Sequence, residues 1–128
     1  MINLNKAILA GNLTRDPELR DTKGGTKVAG LAIAMNRRWK DKDGNQKEET
    51  TFQDITAFGT QAETICKFLK KGDPIFVEGR IHTDKWKDKD GNPREKKIIH
   101  LEKFSFFNTG KKQEEQKSVK QDDLDVGF

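Results

Sequence analysis

The chain has 128 residues, of which 32% are hydrophobic and 36% charged, and its formal net charge is +4. That is about one domain's worth of protein, and no apolar run approaches the ~20 residues that a membrane-crossing helix needs. One cysteine, Cys66, and two histidines, His82 and His100, argue against a disulfide framework and a multi-cysteine zinc site.

The first predicted element is a buried strand over Lys6–Leu13, carrying Ala7, Ile8, Leu9 and Ala10 and closing on the turn signal Gly11-Asn12. Met1 to Leu13 lacks the long apolar core and cleavage site of a secretory signal, so a cytoplasmic setting is expected. Asp16-Pro17 and Lys23-Gly24-Gly25 punctuate a loop. Lys27–Trp39 then alternates, with Leu31, Ile33 and Met35 on one parity and Gly30, Ala32 and Ala34 on the other. Period-2 alternation of this kind predicts a half-buried strand.

Asp43-Gly44-Asn45 predicts a hairpin turn into a third strand, Thr50–Phe58. Thr60-Gln61-Ala62-Glu63 has the pattern of a capping box, and Ala62, Ile65, Cys66 and Leu69 follow at helical spacing. Gly72 is the expected C-cap, with Asp73-Pro74 barring continuation. A fourth strand, Ile75–Trp86, places Ile75, Val77 and Ile81 on its expected core parity. Asp90-Gly91-Asn92 turns the chain into a fifth strand, Lys97–Phe107. Trp39-Lys-Asp-Lys-Asp-Gly-Asn45 and Trp86-Lys-Asp-Lys-Asp-Gly-Asn92 are the same heptapeptide in two unrelated contexts. Two hairpin tips of like chemistry explain this better than an internal repeat.

Beyond Asn108 the apolar pattern stops. Residues 108–121 have the composition of a flexible, disordered linker. The last seven residues, Asp122, Asp123, Leu124, Asp125, Val126, Gly127 and Phe128, contain three acids and no base. A basic body thus precedes an acidic, partly apolar tip.

The aromatic residues carry the functional signal. Phe52 and Phe58 share a strand parity with Asp54 and Thr56. Turning that parity inward would bury a carboxylate, so an outward face displaying rings is the alternative to a core role. Trp39 lies among Arg37, Arg38, Lys40 and Lys42, and Trp86 lies between Lys85 and Lys87. Rings embedded in cations suit single-stranded nucleic acid, because each unpaired base offers a π-face and each nucleotide a phosphate. The competing reading makes both tryptophans half-buried hairpin residues shielded by lysine stems. No nucleophile elbow, phosphate loop or zinc-protease motif is present, so no catalytic residue, metal site or cofactor is expected. Cys66 on the helix's apolar stripe reads as a small hydrophobe. His82 and His100 read as separate surface or interface histidines.

Asn5-Lys6, Ile8–Leu13 and Asp16–Arg20 resemble the opening motif of bacterial single-stranded DNA-binding proteins. Phe58-Gly59, Leu69–Gly72, Ile75–Ile81 and Thr83–Trp86 resemble further blocks of that family, in order, across roughly residues 1–107. The resemblance implies an all-β OB-fold with one helix. Such a fold is a five-stranded Greek-key barrel with the helix between strands three and four. It also implies a homotetramer that stacks single-stranded DNA on Trp39, Phe52, Phe58 and Trp86. Lys6, Lys42, Lys71 and Lys85 carry over as phosphate contacts, and local context adds Arg37, Arg38, Lys40, Arg80 and Lys87. Position 52 is Phe where familiar members carry Trp, Asp54, Thr60 and Asp84 stand where some carry a base, and Gln53 replaces a His that supports the tetramer. The tip Asp122–Phe128 resembles the family's partner-binding tip, with Gly127 in place of the usual Pro. These features imply a cytoplasmic, nucleoid-associated binder, bacterial or phage-encoded, without membrane contact, that recruits replication, recombination and repair proteins. The alternatives are a primosome accessory OB-fold protein and an OB-fold nuclease.

Overall fold

The structure, a computed structural model, describes residues 1–106. The linker expected over 108–121 and the tip Asp122–Phe128 lie outside the described residues, as does Phe107. The elements run β1 (Ala7–Leu13), β2 (Glu18–Asp21), β3 (Lys27–Lys40), β4 (Gln46–Phe58), α1 (Thr60–Phe68), β5 (Pro74–Lys87) and β6 (Pro93–Phe106).

The sheet order is β1-β5-β6-β4-β3-β2, and β1 also pairs with β3. That extra pairing closes β1, β5, β6, β4 and β3 into a ring. Closure needs one parallel contact, Ile55 against Ile99 and Thr56 against His100 between β4 and β6; all other pairings are antiparallel. The result is the five-stranded barrel of the OB-fold, with its helix between the third and fourth barrel strands. The sixth strand, β2, was expected to be loop. Its four residues are all exposed, and it is a strand only because its backbone pairs with β3 from Glu18–Gly30 to Asp21–Lys27.

The expected alternation builds the core. Leu31, Ile33, Ile55, Ala57, Ile75 and Val77 point inward and are buried, with Ile99 and Leu101 from β6. Each fully buried Leu, Ile or Val contributes roughly 1.5–3 kcal/mol of hydrophobic free energy. Helix α1 plugs one end of the barrel with Ala62 and Ile65, and Leu69 follows just past its end.

Three local expectations need correction. The capping box does not form: Gly59 is the N-cap, no side chain caps the helix, and the Thr64 hydroxyl donates to the Thr60 carbonyl instead. The helix also ends earlier than Gly72, at Phe68 with Leu69 as C-cap. The Gly72 N–H donates across to the Leu13 carbonyl, so that glycine serves the turn into β5. Finally, Ile81 is not core but 46% exposed. Its parity is the inward one, but at Ile81 the β5–β6 hairpin is leaving the barrel and no opposing sheet covers it.

β3–β4 and β5–β6 both extend past the barrel as two-stranded arms. Their registers run unbroken to Lys40–Gln46 and Lys87–Pro93. The strands are therefore longer than the apolar pattern suggested. Alternation records burial, and the arms are paired without being buried.

Candidate nucleic-acid interface

The two arm tips fold identically. The Asp41 carboxylate accepts from the N–H groups of Asp43 and Asn45, and the Asp88 carboxylate accepts from those of Asp90 and Asn92. Gly44 (φ 81°) and Gly91 (φ 80°) take the left-handed position that such turns require. Asp88 also accepts from Arg94 Nε at 2.9 Å. These backbone and guanidinium donors hold its carboxyl below the usual carboxylate range.

The outward parity of β4 places Phe52 (68% exposed) and Phe58 (40% exposed) outside the core. Asp54, between them, is satisfied by an ion pair with Lys96 of β6. An outward face therefore leaves the carboxylate solvated and paired, where a buried one would need costly desolvation.

Cross-strand register shows which residues share that face, since directly opposed residues project to the same side. His100 lies opposite Thr56 on β4 and opposite Arg80 on β5. Its ring meets Phe58 edge-on at 5.1 Å (79°) and stacks on His82 at 4.2 Å (18°). His82 shares strand parity with Trp86, which is 46% exposed. Phe52, Phe58, His100, His82 and Trp86 thus occupy one side across β4, β6 and β5. His82 and His100 lie on separate strands, but antiparallel pairing of β5 and β6 brings their rings together, and parallel pairing of β4 and β6 adds Phe58.

Trp39 is placed differently. It lies opposite Lys47, whereas Phe52 lies opposite Ala34, so Trp39 projects to the other side of the β3–β4 ribbon. The Arg37 guanidinium covers its ring, 4.4 Å from the centroid. Arg37 reaches Glu49 at 3.5 Å, and on the Phe52 side Arg38 Nε contacts Glu48 at 2.6 Å.

The predicted cations therefore divide into two groups. Lys6 bridges Glu78 (3.2 Å) and Glu102 (3.4 Å); Glu78 foremost raises its pKa, desolvation opposes, and Glu102 adds a lesser upward push. Arg37 and Arg38 are likewise paired with acids. Among the described residues, Lys40, Lys42, Lys71, Arg80, Lys85 and Lys87 make no ion pair. Lys85 and Lys87 flank Trp86 in a shallow hollow completed by Pro93, Arg94 and Glu95.

Among the described residues, no group of three or more His, Cys, Asp or Glu could hold a metal ion. Burial pushes the Cys66 thiol up, with Lys70 opposing only in part, so it is not an activated nucleophile. No helix among the described residues is long and apolar enough to cross a membrane.

Comparison with known proteins agrees with this geometry. A sequence model of the single-strand binding protein family matches residues 4–107. A single-stranded DNA-binding protein of Wolinella succinogenes is 51% identical over 77 residues, 60% of this chain and 48% of that one. One from Helicobacter hepaticus is 48% identical over 77 residues, again 60% of this chain and 45% of that one. The chain thus spans about half the length of these curated relatives. Among solved structures, a Plasmodium falciparum SSB in complex with ssDNA superposes with a TM-score of 0.77 at 30% identity, covering 84% of this chain and 98% of that chain. A deletion mutant of the Thermus aquaticus single-stranded DNA-binding protein superposes with a TM-score of 0.72 at 32% identity, covering 85% of this chain and 52% of that one.

Proposed function

The chain belongs to the single-strand binding protein family, and on that premise we propose that it binds single-stranded DNA, largely without regard to sequence, as a non-catalytic coat. The observation that carries this reading is the row of exposed rings on one side of the barrel, Phe52, Phe58 and Trp86, near cations such as Arg80 that make no ion pair among the described residues. Large apolar rings held in water are costly unless something covers them, and unpaired bases cover rings. Trp39, behind the β3–β4 arm, joins the surface if the strand passes around that arm. Lys40, Lys42, Lys71, Arg80, Lys85 and Lys87 supply phosphate contacts, with Arg37, Arg38 and Lys6 available once a phosphate displaces their carboxylates. The Plasmodium falciparum relative carries ssDNA on the same fold, which supports the reading.

The tip Asp122–Phe128 is the proposed docking segment for replication, recombination and repair proteins, since it combines acids with the apolar anchors Leu124, Val126 and Phe128. A homotetramer is proposed from the family pattern. In place of the expected His, Gln53 donates to the carbonyls of Asp54 and Lys97 within the subunit.

Titrating the full chain with oligo(dT) and with an equal-length duplex tests the central claim. Tryptophan fluorescence should be quenched by the single strand, and the duplex should bind far more weakly because its bases already stack on one another. Equal affinity for both forms would contradict it.

A further inference from the structure

His82 and His100 stand eighteen positions apart in sequence, yet their rings are stacked at 4.2 Å and the pair abuts Phe58 at 5.1 Å. The three rings cross β4, β6 and β5 and fill the interval between Phe58 and the Trp86 arm. His100 is half-buried beneath, and His82 is exposed. Four residues of strand separate His82 from Trp86 on the same side, about 13 Å. A surface imidazole needs no such support for solubility. A planar ring backed by two others is a rigid platform, and rigidity lowers the ordering cost of stacking a base on it.

Resting on the single-stranded DNA reading, we propose that His82, seated on His100, which Phe58 buttresses in turn, is a further base-stacking position, and that proton uptake by His100 beneath it tightens its hold on the strand.

The charges around the pair set the direction. From β5, Arg80 and Asp84 flank it. From β6, Lys96 is paired with Asp54 of β4, and Glu102 is paired with Lys6. Burial, then the neighbouring His82, then Arg80 lower the His100 pKa, while Asp84 opposes them. In the free protein His100 is therefore held neutral to lower pH than an ordinary histidine. A bound phosphate beside Arg80 and His82 favours the charged form, so binding takes up protons. By linkage, affinity must then rise as pH falls through the histidine range.

The experiment is oligo(dT) binding by the full chain at fixed salt, at about pH 8 and about pH 6. The unaltered chain should bind several-fold more tightly at the lower pH. His82→Ala should weaken binding about fivefold or more at the higher pH, the lower end of a base-stacking effect. His82→Phe should keep the affinity at both pH values, because the titrating His100 is untouched, whereas His100→Gln should lose most of the gain at the lower pH. His82 is exposed, so its two variants should retain the fold, and an unchanged melting curve checks all three. Affinity in His82→Ala equal to that of the unaltered chain at both pH values would overturn the inference while leaving the single-stranded DNA reading intact. A full pH response in His100→Gln, or none in the unaltered chain, would likewise overturn the role of the proton. Failure of the unaltered chain to bind oligo(dT) at either pH would overturn the DNA reading and this inference with it.

Discussion

The β3–β4 and β5–β6 arms carry the same heptapeptide and the same turn, yet present their tryptophans in opposite ways. In the first arm the Arg37 guanidinium lies 4.4 Å over the Trp39 ring, and Glu48 and Glu49 engage Arg38 and Arg37. In the second, Trp86 is exposed between Lys85 and Lys87, neither of which makes an ion pair among the described residues. The first arm is closed on itself and largely charge-neutralised; the second is open. A local motif thus dictates the turn, whereas residues outside it decide what is available: Arg37, two positions before Trp39, covers the ring, and the glutamates across the ribbon engage the arginines.

The contrast can be broken most severely at the root of the open arm. A Cβ on Gly79 would collide with the His100 carbonyl oxygen and crowd Ile99 Cγ2 at 2.9 Å. Gly79→Ala should therefore force β5 and β6 apart, costing about 3 kcal/mol, at the upper end of overpacking effects. A lower Tm and a selective loss of the His82–His100 contact in NMR are the expected outcomes. An unchanged Tm would show that the strands shift freely there.

The tryptophans come next. Trp86→Ala should weaken oligo(dT) binding by ~1–3 kcal/mol, the usual worth of a stacked base. Trp39→Ala should cost less, because a base must first displace Arg37 from the ring. Anisotropy titrations of both variants decide it, and a larger loss for Trp39 would reverse the assignment of open and closed arms.

The smallest effect should come from opening the closed arm electrostatically. Replacing Glu48 and Glu49 together by Gln frees two arginines for phosphate. Each new phosphate contact should steepen the slope of log affinity against log salt by about 0.7, and Lys85→Ala should flatten it by a similar amount. Unaltered slopes in both variants would mean that neither arm touches the phosphates.

Much of this architecture was legible beforehand. Leu31, Ile33, Ile75 and Val77 read as core from period-2 spacing alone, because burial on one face leaves that trace. Both turns were legible because Asp-Gly-Asn marks a turn whose glycine takes positive φ, although the carboxylates that accept from it are those of Asp41 and Asp88, two residues upstream. The outward position of Phe52 and Phe58 could be argued from Asp54, since a carboxylate on the same parity makes burial costly. Other features left no local trace. Thr60 and Glu63 have the letters of a capping box, but the entry from Phe58 puts Gly59 at the N-cap. Ile81 alternates correctly and is still exposed, because parity does not say where an opposing layer ends.

What the sequence determined by itself, then, is everything that depends on neighbours a few residues away: strand periodicity, turn chemistry, and the clustering of rings with bases. Only the tertiary structure decided what depends on pairing across the chain. It made a strand of the four exposed residues of β2 by offering them the edge of β3. It drew Lys6 into ion pairs with Glu78 and Glu102, 72 and 96 residues away. It joined β4 to β6 in parallel and β5 to β6 antiparallel, and so set His100 between Phe58 and His82. The physical reason is that barrel closure is a contact between distant segments, whose register comes from the whole ring of strands at once rather than from any one of them.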